Sequence, residues 1–134
     1  MSTYEAEADQ PFEQFLERIE TCPVFGAFVE GTIIGMVGFW RETSPKERHK
    51  GFIWGMYVAP AARRLGIGVS LVQAVVEHAA TQVEQVRLAV NAGNQAAIAL
   101  YERQGFVIYG REPRALKGPN GYSDDILMVR FLAD

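Results

Sequence analysis

The spacing of apolar residues changes period several times along these 134 residues, and each change marks an element. Phe12, Phe15, Leu16 and Ile19 recur at helical spacing. With Asp9 as N-cap and Pro11 in the first turn, they predict a short amphipathic helix from Asp9 to about Thr21. Strand patterns follow at Gly26 to Glu30 and Ile33 to Arg41, joined by a tight turn at Gly31-Thr32. Glu42 to Lys50 is polar and reads as a loop, and Gly51 to Val58 reads as a third strand. Leu71/Val72, Val75/Val76 and Ala79/Ala80 form one stripe of a helix reaching about Thr81. Val86, Leu88 and Val90 alternate as a strand, and Asn91 to Asn94 is a turn whose last residue can cap the next helix. That helix, Gln95 to Gln104, stops at Gly105. Phe106 to Tyr109 begins a strand, Pro113 to Gly121 reads as a loop, and Tyr122 to Leu132 as a last strand. One β-α-β unit thus sits inside an otherwise antiparallel order, in one domain over residues 1–134.

The connection inside that unit carries candidate chemistry. After Tyr57-Val58 the chain runs Ala59-Pro60-Ala61-Ala62-Arg63-Arg64-Leu65-Gly66-Ile67-Gly68-Val69-Ser70-Leu71, from an apolar strand through a basic, glycine-containing loop into a helix. Unpaired backbone N–H groups at a positive helix end make an anion site. Gly66 and Gly68 remove Cβ atoms that would keep a diphosphate from the main chain, and Arg63 and Arg64 add positive charge. The loop therefore suits a phosphorylated cofactor.

Composition narrows the field. A formal net charge of −3 argues against a protein that binds nucleic acid by neutralising phosphates, and against an anionic membrane as partner. The single cysteine, Cys22, excludes an internal disulfide, fits a reduced compartment and reads as a small hydrophobe. His49 and His78 lie far apart without ligand partners, so no metal site is expected. No apolar run has the length of a membrane span and the N-terminus has no signal-peptide pattern, which points to the cytoplasm.

Two familiar nucleotide loops do not fit. Gly66-Ile67-Gly68 has Leu71 where a dinucleotide fingerprint has its third glycine, Asn91 where it has an acid, and a long approach from Val58. No Gly-Lys-Ser/Thr follows either, so a Walker loop is excluded. A second constellation decides between the remaining readings. Leu88-Ala89-Val90-Asn91 precedes Asn94-Gln95-Ala96-Ala97-Ile98-Ala99-Leu100-Tyr101-Glu102-Arg103-Gln104-Gly105-Phe106. Together with Arg63-x-x-Gly66-x-Gly68, this closely resembles the GNAT superfamily of acyl-CoA-dependent N-acetyltransferases, over residues from about Val24 to the C-terminus.

The resemblance implies an α/β (α+β) fold: a mixed, mostly antiparallel central sheet with a splayed pair of central strands, flanked by helices. It implies acetyl-CoA as co-substrate and a primary amine of a small molecule or protein as acceptor. By that resemblance Met56, Tyr57 and Val58 offer main-chain contacts to the pantetheine arm. Backbone N–H groups of Leu65, Gly66, Ile67, Gly68, Val69 and Ser70 hold the pyrophosphate beside Arg63 and Arg64, and Asn91 and Asn94 belong to the same site. Tyr101 stands where many members place the tyrosine that protonates the leaving thiolate, although it also shares a helical face with Ala97 and Leu100. Many relatives keep a glutamate base on the strand matching Phe52 to Val58, and here there is none. Glu30, Glu42, Glu47, His49, Asp124, Asp125 and a water relay all stay open as bases. Trp40, Trp54 and Tyr122 are candidates to line an acceptor pocket or plain core, and Arg103 a CoA phosphate or solvent. Relatives usually begin with a strand and helix that are missing here, which would leave Gly26 to Glu30 as a bare edge and favour a homodimer that covers it. The rival to an enzyme is a non-catalytic acyl-CoA-binding module.

Overall fold

The computed structural model describes residues 13–19, 22–62 and 66–132. Seven strands form one sheet: β1 (Glu13–Ile19), β2 (Cys22–Val29), β3 (Thr32–Arg41), β4 (Lys50–Val58), β5 (Gln85–Asn91), β6 (Val107–Gly118) and β7 (Gly121–Phe131), in the spatial order β1-β2-β3-β4-β5-β7-β6. Every neighbouring pair is antiparallel except β4 with β5. The crossover between those two carries helix α1 (Ile67–Ala80), and α2 (Gln95–Arg103) follows β5. The mixed, mostly antiparallel sheet expected from the sequence is the one observed.

Helix α1 lies on one face of the sheet because its stripe Leu71, Val72, Val75 and Ala79 meets Val37, Phe39 and Ile53, all buried. The approach is close at Gly35, where an added Cβ would stand 2.9 Å from Leu71 Cδ1 and 3.1 Å from Ile67 Cγ2. Val86, Leu88 and Val90 of β5, Ile126 and Met128 of β7, and Ile98, Tyr101 and Phe106 continue that core toward the other side of the molecule. The alternation of β3 and β4 turns Trp40, Phe52 and Trp54 to the opposite face. There Trp40 and Phe52 lie with ring centroids 6.0 Å apart, and Trp54 covers Gly38 so closely that a Cβ there would fall inside the indole.

Two expectations are corrected. The segment read as a helix from Asp9 to Thr21 is a strand over Glu13–Ile19, paired with β2 from Glu13↔Phe28 to Ile19↔Cys22. Asp9, Pro11, Phe12 and Thr21 lie outside the described residues. A helix of so few turns is marginal by itself, whereas strand pairing satisfies the outward N–H and C=O groups of β2. The bare edge expected at Gly26 to Glu30 is therefore covered by the chain's own β1, and the ground for placing a partner chain there falls away. The second correction concerns Pro113 to Gly121, expected as a loop. It belongs to a long β6–β7 hairpin that runs on to Gly118↔Gly121. Pro113 is accommodated by an irregularity between Glu112 and Leu116, where Arg114 takes φ 55°. The Asp124 carboxylate closes this bulge, accepting from the Arg114 N–H at 2.9 Å and from Arg111 Nε at 2.8 Å.

Candidate active site

The two central strands separate after three residues. Parallel pairing joins Lys50, Gly51 and Phe52 to Gln85, Val86 and Arg87 and goes no further. Beyond that fork β5 stays with β7 as far as Asn91↔Asp125, while β4 follows β3. The cause is in β4. Met36 faces Tyr57 and Gly38 faces Trp54, so β4 carries one more residue than β3 across this step, and Gly55 sits there with φ 66°. A bulge with a left-handed glycine bends its strand and increases its twist, which pulls β4 away from β5. Met56, Tyr57 and Val58 lie on the diverging part, with the Tyr57 side chain exposed.

The start of α1 stands beyond the same end of β4. Gly66 is its N-cap with φ 79° and ψ 10°, a left-handed conformation costly for a residue with a Cβ. Among the described residues no side chain caps the helix, and its first turn holds no acidic residue. The first helical bond here is from Ser70 N–H to the Gly66 carbonyl at 3.0 Å, so the N–H groups of Ile67, Gly68 and Val69 have no acceptor inside the helix. The glycines serve purposes besides clearance for a ligand. A Cβ on Gly66 would meet none of the described residues within 4 Å, and the position is selected by its backbone angle. A Cβ on Gly68 would come 3.1 Å from Leu100 Cδ2, so that position lets α1 and α2 touch. Arg63, Arg64 and Leu65 lie outside the described residues.

Helix α2 begins where β5 ends. Asn94 caps it by accepting the Ala97 N–H at 3.1 Å, and its amide nitrogen remains exposed. Asn91 is engaged at both ends: its oxygen accepts the Gly93 N–H at 2.9 Å and its nitrogen donates to Ser123 Oγ at 3.1 Å. Its side chain thus shapes the turn and ties β5 to β7. Tyr101 is 4% exposed, and its ring meets Phe106 edge-on at 5.7 Å. No group among the described residues hydrogen-bonds its hydroxyl, and no buried polar side-chain atom there lacks a partner, so the hydroxyl tip reaches solvent. Burial of the ring pushes its pKa up to about 12, which keeps the phenol protonated.

Residues 1–106 match the model of the Acetyltransferase (GNAT) family. The chain belongs to that family. Over 88 residues it is 36% identical to the L-methionine sulfoximine/L-methionine sulfone acetyltransferase of Pseudomonas aeruginosa, covering 63% of this chain and 49% of that protein. Over 82 residues it is 37% identical to the mycothiol acetyltransferase of Paenarthrobacter aurescens, covering 58% of this chain and 25% of that protein. The match thus spans about half of the first curated relative and a quarter of the second. Among solved structures it resembles a GNAT acetyltransferase from Streptococcus pneumoniae, with TM-score 0.77, 26% identity, and 86% and 69% of the two chains covered. It also resembles the ribosomal-protein-alanine N-acetyltransferase of Brucella melitensis, with TM-score 0.75, 30% identity, and 83% and 69% covered.

Within this GNAT domain the other sequence candidates scatter. Glu42, Glu47 and His49 lie at the Lys50 end of β4, the end away from α1's first turn, and Glu47 pairs with Lys50 at 3.7 Å. Glu30 sits in the β2–β3 turn. Asp124 is held below the usual carboxylate range, first by the Arg114 N–H and then by Arg111, which leaves a poor base. Asp125 is half-buried opposite Asn91 at the end of β5. Tyr122 is out on the hairpin between Arg114 and Lys117, at 5.0 and 5.6 Å, apart from Trp40 and Trp54. Arg103 is exposed in the last turn of α2. Cys22 pairs with Ile19 at the start of β2. Among the described residues no cluster of His, Cys, Asp and Glu is arranged to hold a metal ion. Sequence reasoning passed over Gly55, whose position inside a strand was the available signal for a bulge, and Arg87 at the fork.

Proposed function

We propose that this chain transfers an acetyl group from acetyl-CoA to a primary amine by direct attack of the amine on the thioester carbonyl. The observation that supports it most is the fork: β4 and β5 part after Phe52 and Arg87, and a helix with uncapped N–H groups begins beyond the diverging end of β4. Strand edges that leave each other accept the amides of a pantetheine arm as an added strand would. In this reading Met56, Tyr57 and Val58 hold the arm, and the N–H groups of Gly66, Ile67, Gly68 and Val69 receive the diphosphate; Ser70, whose N–H is taken by the Gly66 carbonyl, only follows them, and Leu65, Arg63 and Arg64 precede them in sequence. Asn94 offers its free amide nitrogen, and Asn91 holds the turn that presents it.

The amine nitrogen forms a bond to the carbonyl carbon, the carbon–sulfur bond breaks, nitrogen loses a proton and sulfur gains one. Tyr101 is the residue that meets the sulfur. With its pKa at about 12, complete transfer to a thiolate near 8.5 is uphill by about 3.5 units, or about 5 kcal/mol. Tyr101 therefore acts by donating a hydrogen bond as negative charge develops on sulfur. The proton that sulfur finally keeps is the one nitrogen loses, carried through solvent at the open hydroxyl tip. No side chain is assigned as base.

The relatives are named for amino-acid and protein-alanine acceptors among others, so both small amines and peptide N-termini belong to the proposed acceptor class. A cytoplasmic setting is part of the reading, resting on the lone cysteine and the need for acetyl-CoA. The test is thiol release from acetyl-CoA against a panel of amino acids, alkylamines and N-terminal peptides. Turnover of at least one amine, with the acetylated product identified by mass, is expected. Tight CoA binding without turnover of any amine would instead make the chain a binding module.

A further inference from the structure

Resting on the acetyltransferase reading, the position of Arg87 speaks to the acceptor. Arg87 is the last residue of β5 to pair with β4, opposite Phe52. It shares the face of the sheet turned away from α1, with Phe52, Trp40 and Trp54. Helix α1 packs against the other face, and in this reading the acceptor comes to the fork from the side of Arg87. The arginine is held in place from two directions. Its Nε donates to Gln85 Oε1 at 3.0 Å, and its guanidinium lies 5.3 Å from the centroid of the Tyr109 ring. Yet its charge has no counter-ion among the described residues. The ion pairs among the described residues are Lys50–Glu47 and Arg111–Asp124, and neither terminal nitrogen of Arg87 has a partner there. Asp125, on the same face by register, is four strand positions away from the residue opposite Arg87, about 13 Å along β7. A half-buried, oriented guanidinium with two free N–H forks is built to take a carboxylate. Two residues beyond Phe52 on the same face, Trp54 is 42% exposed yet fixed over Gly38, an apolar wall just past the fork.

We propose that Arg87 binds the carboxylate of the acceptor, so that the amine acetylated is that of a free amino acid whose apolar side chain rests on Trp54. Arg87 is a specificity residue: it holds the acceptor's far end and takes no part in the proton movements.

The experiment compares phenylalanine with phenethylamine, and methionine with 3-(methylthio)propylamine, pairs that differ in the carboxylate alone. The wild-type enzyme is expected to favour each amino acid by at least tenfold in kcat/KM. Arg87→Met should lower kcat/KM for the amino acids about a hundredfold through KM. It should leave the plain amines and the KM for acetyl-CoA unchanged, and Arg87→Lys should recover part of the loss. Calorimetric binding of phenylalanine and phenethylamine in the presence of CoA asks the same question without turnover, so failure of the acetyltransferase reading is seen separately. Equal preference for the two members of each pair, or an Arg87→Met loss shared equally by both, overturns the proposal.

Discussion

Replacing Tyr101 by phenylalanine separates the packing role of this residue from its chemical role. The ring is 4% exposed and meets Phe106 at 5.7 Å with an interplanar angle of 64°, and phenylalanine keeps all of that. The hydroxyl has no hydrogen-bond partner among the described residues, so its removal strands no other polar group. Stability should therefore change by less than about 1 kcal/mol, a shift in Tm of no more than about 4 °C for a domain of this size. Catalysis should respond quite differently. A single donor aimed at charge that develops in the transition state contributes about 2.7–4 kcal/mol, a factor of about 10²–10³ in kcat. Tyr101→Phe is thus expected to melt like the wild type and bind CoA like it, while thiol release at saturating substrates falls by about two to three orders of magnitude. Tyr101→Ala is a poor substitute, because loss of the whole ring opens a cavity at a cost of about 3–5 kcal/mol. A Tyr101→Phe enzyme with kcat within threefold of wild type would refute the role given to this hydroxyl.

The same tyrosine predicts a pH effect. Its folded pKa of about 12 exceeds the ordinary value of 10, so the native state holds the proton more tightly than the unfolded chain. The associated stability is complete below about pH 10 and is lost as pH rises toward 12, about 2.7 kcal/mol in all, and urea melts of wild type and Tyr101→Phe should diverge only across that window. Asn94→Ala should lower stability by about 1 kcal/mol through loss of the cap to Ala97, while Asn94→Asp keeps the cap but lacks the free amide and raises KM for acetyl-CoA; a thermal melt beside kinetics reads both. Gly68→Val should cost about 1–3 kcal/mol because the space is filled by Leu100, with the loss visible in denaturant titration. Gly38→Ala should displace Trp54 and change acceptor KM while leaving KM for acetyl-CoA alone, as initial rates at varied substrate would report.

Much of the architecture is legible where local pattern and tertiary need agree. Helix α1 has a clean apolar stripe and a glycine before it, β5 alternates, and Asn94 caps α2 as its neighbours foretell. The misreadings fall where one segment suits two states. Phe15, Leu16 and Ile19 satisfy helical spacing, but the open edge of β2 selects a strand for Glu13–Ile19, a long-range demand that no short window contains. Pro113 argues against a strand unless a bulge absorbs it, and that bulge depends on Asp124, which is distant in sequence and receives the Arg114 N–H. At the site, the loop and Tyr101 stand out by their residues. The fork does not, because it arises from one extra residue in β4 relative to β3, and register is a property of the pair. Arg87 is silent in the sequence for a related reason: its lack of a counter-charge becomes visible only once β5 is set beside β4 and Tyr109.

The central claim is that the diverging strands and the first turn of α1 together receive acetyl-CoA. The most direct measurement is a titration of the ¹⁵N-labelled protein with acetyl-CoA, following backbone amide shifts. The largest changes are expected at Met56 to Val58 and at Gly66 to Ser70, with slowed hydrogen exchange at Ile67, Gly68 and Val69, and small changes at the Lys50 end of β4. Saturable binding that leaves those amides unmoved, or no binding at millimolar acetyl-CoA, would contradict it.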